Sequence, residues 1–165
     1  MKEVFVLALV LVSVLSYVAL VTLLATFLPG LTQRGRQVVA DNPVRTILVG
    51  AIGWVLFGAL AFWLYAKAEF DRLLETATEP AYLVAACIAV IVPSLVCLLG
   101  APGLYTQIGR RIAALHQRES SELWCVAVGA LVSLIAALFP FVGWFLVLPL
   151  LLAAELGTGF RLLLR

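Results

Sequence analysis

From Val4 to Leu28 the stretch VFVLALVLVSVLSYVALVTLLATFL carries no charged residue, and that run decides what the chain can fold into. A bilayer core about 30 Å thick is crossed by about 20 residues of α-helix, whose backbone N–H and C=O groups are all paired within the segment. The core of a cleavable secretory signal is about 7 to 15 apolar residues, so this run is too long for one and reads as a retained first membrane helix. The rest of the chain agrees. Of 165 residues, 64% are hydrophobic and 12% charged, with a mean hydropathy of +1.15, against about 25% charged in soluble domains. The sequence therefore reads as one all-α domain, a polytopic integral membrane helical bundle. A net charge of +2 gives a chain this apolar no footing for nucleic acid.

Four further apolar blocks follow. Thr46 to Ala66 is opened by Asn42-Pro43, where Asn can cap free N–H groups and Pro suits the first helical position. Ala81 to Leu99 follows Pro80 and contains Pro93, which should bend it. The stretch LFPFVGWF, residues 138 to 145, then divides the last tract into Leu123 to Phe139 and Trp144 to Phe160. Read as one helix from Leu123 to Leu164, that tract would be roughly 63 Å long, twice the hydrocarbon core. A turn at Pro140 to Gly143 with Trp144 at the headgroups fits better.

The basic residues test the same point. Five spans (4–28, 46–66, 81–99, 123–139 and 144–160) place Lys2, Lys67 and Arg72 on one side. Arg34, Arg36, Arg45, Arg110, Arg111, Arg118, Arg161 and Arg165 fall on the other. Four spans, the alternative, move Arg161 and Arg165 across and almost erase the bias. The positive-inside rule thus favours five spans, N-terminus outside and C-terminus cytoplasmic. In LTQRGRQVVADNP, Leu31, Val38 and Val39 lie opposite the arginines, which predicts a short interfacial helix. The segment KAEFDRLLETATEP puts Phe70, Leu73, Leu74 and Ala77 on one face, with Glu69, Asp71, Arg72 and Glu75 elsewhere, so the second helix extends past the membrane. GAPGLYTQIGRRIAALHQRESSE predicts a helix break followed by a second interfacial helix, with Leu104, Ile108, Ile112 and Leu115 on one stripe and Arg110 and Arg111 at the headgroups.

Glu155 is the one acid inside an expected span, and an ionisable group there is a functional candidate because burying it unpaired is costly. Three roles stay open: a hydrogen bond to a neighbouring helix or a reach to an arginine such as Arg110, a proton or ion path, and a contact with a partner subunit. His116, the single histidine, sits beside Gln117 and Arg118 as a solvated residue. One histidine and no cluster of cysteines or carboxylates assemble neither a zinc site nor a histidine triad. Ser94 and Ser133 lack a base partner. Cys87, Cys97 and Cys125 lie singly in apolar tracts and read as small hydrophobes. No enzyme, cofactor or metal is implied.

Gly50, Gly53 and Gly58, Gly129, and Gly157 with Gly159 stand where small residues let membrane helices approach closely, either inside the bundle or against another subunit. The openings VGAI and VGAL on two of the helices are too short to establish a repeat.

FLPG before an arginine-bearing helix, NPVRTILVGAIG, IGRRI and the closing VGALVSLIAALFPFVGWFLVLPLLLAAELGTGFRLLLR follow one another in an order that resembles the C-terminal membrane region of bacterial and archaeal bactofilin-like, polymer-forming proteins. The likeness runs from about Phe27 to Arg165. It implies membrane attachment in a prokaryotic cytoplasmic membrane. The family places its G-x-P break soon after the second span, whereas GAPG here follows the third, and only three residues precede the first span, which leaves no polymerising β-helix. Together these features lead to a non-enzymatic membrane subunit or scaffold that packs against other subunits or a second copy of itself in the lipid bilayer. Its aromatic faces would be Trp54, Trp63, Trp124 and Trp144. The alternative is a small transporter or channel component using Glu155, with Pro93 and GAPG as irregular backbone.

Overall fold

The structure, a computed structural model, describes residues 2–73, 79–116 and 120–164. The described residues form a helical bundle with no strand: α1 Lys2–Phe27, α2 Pro29–Asp41, α3 Pro43–Leu73, α4 Glu79–Leu115, α5 Glu122–Leu138, a π turn Gly143–Val147, and α6 Leu148–Leu163. Four segments are long and apolar enough to cross a membrane, namely Ala8–Phe27, Pro43–Leu73, Pro80–Leu115 and Gly143–Leu163. α5 is apolar too, but only 17 residues long, at the short end of the spanning range of about 17 to 25. Large apolar side chains such as Phe62, Val55 and Trp63 point outward, while the interior collects alanine, glycine, threonine and one glutamate. A water-soluble bundle has the reverse arrangement.

The Asn42-Pro43 signal holds: Asn42 Oδ1 accepts from the Arg45 N–H at 3.0 Å, with Pro43 in the first turn of α3. The structure adds a cap at α5, where Ser121 Oγ accepts from the Trp124 N–H at 3.3 Å. α3 runs on to Leu73, as the amphipathic pattern after Lys67 requires. Leu74, Glu75 and Ala77 of that pattern, like Gln117, Arg118 and Arg165, lie outside the described residues.

LFPFVGWF is a turn. α5 stops at Leu138, the Val142 N–H donates to Pro140 O at 2.9 Å and the Gly143 N–H to Phe139 O at 2.8 Å. The left-handed residue is Phe141, with φ 63°. Gly143 serves close approach instead, since a Cβ there would meet the carbonyl oxygens of Ala136 and Ala137. Pro149 denies the Phe145 carbonyl its helical donor and crowds it. The wider π turn, in which the Leu148 N–H bonds to Gly143 O, absorbs that defect before α6 begins.

Two expectations are corrected. GAPG does not break the chain: α4 is one 37-residue helix through both Pro93 and Pro102. Pro93 is fully buried, Gly100 and Gly103 press their bare backbone against neighbouring helices, and this packing overrides the local breaker signal. The second interfacial helix is therefore the last third of α4, with Leu104 buried and Leu115 exposed. α2 is a helix as expected, but it buries Thr32, Gly35, Val38 and Val39 against the bundle, Leu31 being half-buried, and Gly35 abuts Gly103 of α4. α4 is the hub, packing against every other helix. With α5 it forms an antiparallel hairpin through Tyr105–Gly129, Gly109–Cys125 and Arg110–Glu122.

Candidate functional site

The glycines set how near the helices come. A Cβ on Gly50 of α3 would strike the Ala153 carbonyl of α6, and one on Gly157 of α6 would strike the Thr46 carbonyl of α3. Gly100 and Gly159 face each other in the same way between α4 and α6, as do Gly109 and Gly129 between α4 and α5. Gly53 lies against the Leu156 and Phe160 side chains. Gly58 is the exception among the expected packing positions, since nothing lies within 4 Å of its would-be Cβ. Five of the six thus serve internal packing.

This clamping seats α6 between α3 and α4 and turns Glu155 inward, where it is 4% exposed. Two hydroxyls converge on its Oε1: Tyr17 of α1 donates at 3.0 Å, and Tyr105 of α4, itself 1% exposed, donates a short hydrogen bond. The two rings meet edge to face, centroids 6.3 Å apart at 88°. Among the described residues no hydrogen bond reaches Oε2, and no lysine, arginine or histidine lies within ion-pair distance of the carboxyl group. Arg110 and Arg111 are exposed, and Arg110 approaches Glu122 instead, at 3.9 Å, a charge contact rather than a hydrogen bond.

Glu155 and both tyrosines line a half-open cavity of about 300 Å³. Exposed Ser94 and Leu148 stand at its mouth, buried Tyr105 and Glu155 at its floor, and Trp54, Cys97 and leucines from α4, α5 and α6 form its walls. The cavity occupies the wedge where α5 and α6 diverge from their turn, for they have little contact beyond the π turn. Trp54 is not on an outward aromatic face as expected. Its Nε1–H donates to Leu152 O at 3.1 Å, and it separates this cavity from a second one of about 310 Å³ beside Pro149. Trp63, Trp124 and Trp144 do face outward.

Arg161 anchors the far end of α6. One guanidinium nitrogen, Nη1, donates to Val38 O at 3.0 Å, to Asn42 O at 3.3 Å and to Thr46 Oγ1 at 2.6 Å. Val38 O is one of the end carbonyls that α2 cannot pair within itself, and a cation there also meets the negative end of the helix dipole. His116 is exposed, with Nδ1 3.0 Å from Ile112 O. Cys87, Cys97 and Cys125 are unpaired thiols, and the described residues hold no cluster of three or more metal-ligating side chains.

Sequence reasoning singled out Glu155 but not Tyr17 or Tyr105. Each tyrosine is an aromatic residue in an apolar run, and nothing local marks its partner 138 or 50 residues away. Tyr17 carries the one visible clue, a phenol hydroxyl in the middle of a span, which needs a partner when buried. No protein-family model matches the chain, and neither the curated proteins nor the solved structures offer a match.

Proposed function

We propose that the chain is a non-enzymatic, multi-pass membrane protein that works as a small transport component, with Glu155 as its working group. The observation that carries this reading is a carboxyl group 4% exposed, held on one oxygen by two tyrosines and facing a half-open cavity with no cation beside it among the described residues. A group so placed in a membrane is costly to retain, and such groups mark places where something binds or passes. The π turn ahead of α6, an irregular stretch of backbone on the helix that carries Glu155, supports the same reading.

In this reading the protein crosses a prokaryotic cytoplasmic membrane five times, α5 included, with its N-terminus outside and its C-terminus inside. The excess of arginine that five spans gather on one side of the membrane supports that orientation. A reporter fused after Arg165 should read out in the cytoplasm, and an external signal would restore four spans. The functional test is flux: liposomes carrying the protein should dissipate an imposed proton or cation gradient faster than empty ones, and Glu155→Gln should remove the difference. Wild-type liposomes that leak no faster than empty ones would overturn the proposal.

A second reading, a scaffold subunit docked on other membrane proteins or on a second copy of itself, draws on Gly58. It lies on α3 between exposed Val55 and Phe62 with open space above it, room for a neighbouring helix.

A further inference from the structure

The cavity's chemistry selects among solutes, and the inference drawn from it rests on the reading of Glu155 as a solute site. Both tyrosine hydroxyls spend their protons on Oε1, and the Ser94 hydroxyl donates to Val90 O at 2.8 Å. What remains unused at the floor is an acceptor, Oε2, with no positive partner among the described residues. The walls are apolar and aromatic: Leu98, Leu134, Leu151 and Leu152, with Trp54 and Tyr17. A hard metal cation asks for about six oxygen ligands in a shell. This floor offers one carboxylate whose neighbouring hydroxyls already donate to it, and no second carboxylate among the described residues that line the cavity. A protonated amine asks for less. It donates to the free oxygen, balances the charge, and gains from aromatic faces close by. An apolar body attached to it would fill the leucine-lined walls, and the volume of about 300 Å³ lies at the lower end of the range for small-molecule sites, about 300–1,000 Å³.

We propose that the Glu155 cavity binds a lipophilic organic ammonium ion, one cationic amine head on a compact apolar body, with the head on Glu155 Oε2 and the body toward the Ser94 mouth. Such a solute partitions into the bilayer and reaches the cavity through the wedge between α5 and α6. The site discriminates by charge at its floor, so a neutral molecule of the same shape gains only the wall contacts.

The test is calorimetric titration of the purified full chain in lipid nanodiscs with 4-phenylbutylammonium chloride, with 4-phenylbutanol, and with sodium chloride alone. Protein-free nanodiscs supply the partitioning blank. The ammonium should saturate one site and bind at least about tenfold more tightly than the alcohol, the scale of one charge-assisted hydrogen bond. Glu155→Gln should bring the two within about threefold of each other, and Ser94→Trp, which plugs the mouth and leaves Glu155 in place, should weaken both. The proposal is overturned if ammonium and alcohol bind alike to the wild type, if Glu155→Gln keeps the preference, or if sodium alone saturates the site. Gradient dissipation that depends on Glu155 without ammonium binding would discard the ligand class and keep the transport reading. Ammonium binding without flux would keep the ligand class and discard the transport reading.

Discussion

Gly157→Ala is a one-carbon change whose effect can be worked out from the crossing of α3 and α6. The new methyl group would stand 2.8 Å from the Thr46 carbonyl carbon and 3.0 Å from the Gly50 nitrogen, and closer still to the Thr46 oxygen. Ordinary contact begins at 3.4 Å, and the obstacle is backbone, which cannot rotate away. α6 must therefore move off α3, loosening the Gly50–Ala153 contact beside it and the Trp54–Leu152 hydrogen bond nearby. Overpacking of this kind costs about 1–3 kcal/mol, and a strained or lost neutral hydrogen bond adds about 0.5–1.5 kcal/mol. At about 2–4 °C per kcal/mol for a chain of this length, the melting midpoint should fall by roughly 3–18 °C. Gly58→Ala is the internal control, for the same methyl group enters open space and should leave the midpoint nearly unchanged. The assay is thermal unfolding in mild detergent, with graded addition of a denaturing detergent as a second probe. Gly50→Ala combined with Gly157→Ala should cost less than the sum of the two, because both relieve one crossing. An unshifted midpoint for Gly157→Ala, or equal damage from Gly58→Ala, would refute the close approach of these helices.

Arg161→Ala should cost about 2–3 kcal/mol, since hydrogen bonds to charged groups are worth about 1.5–3 kcal/mol and the carbonyl end of α2 is left unpaired. The same unfolding assay reads it, and a midpoint equal to wild type would mean that α2 is held by packing alone. Tyr105→Phe and Tyr17→Phe each remove one hydroxyl from Glu155 Oε1, and each should destabilise by about 1–3 kcal/mol. Tyr105→Phe should be the worse of the two because that side chain is the more buried, and a larger loss with Tyr17→Phe would reverse the assignment of the floor.

The blocks of apolar sequence were legible because a bilayer asks for length and hydropathy, both of which are local. Asn42-Pro43 and the LFPFVGWF turn were legible for the same reason, being signals carried by a few adjacent residues. The continuity of α4 through GAPG was not, since whether Gly100 and Pro102 end a helix depends on α6 and α2 closing over them. Gly157 and Gly58 have the same chemistry and similar neighbours in sequence, and only the bundle separates the buried crossing from the open face. Arg161 read as one more inner charge, while in the fold it ties α6 to the α2–α3 junction. Glu155 was visible as an acid in an apolar run, but its meaning depends on tyrosines from two other helices and on a cavity that no local pattern records.

The central claim is that Glu155 works rather than merely packs, and flux and stability measured on one preparation test it most directly. Proteoliposomes of wild type and Glu155→Gln would be assayed for gradient dissipation and then for unfolding. Gln keeps an oxygen for the two tyrosine hydroxyls, so the midpoint should shift by no more than a few degrees. Flux should fall to the level of protein-free liposomes. Undiminished flux through the Gln variant would contradict the claim and leave Glu155 a buried packing group.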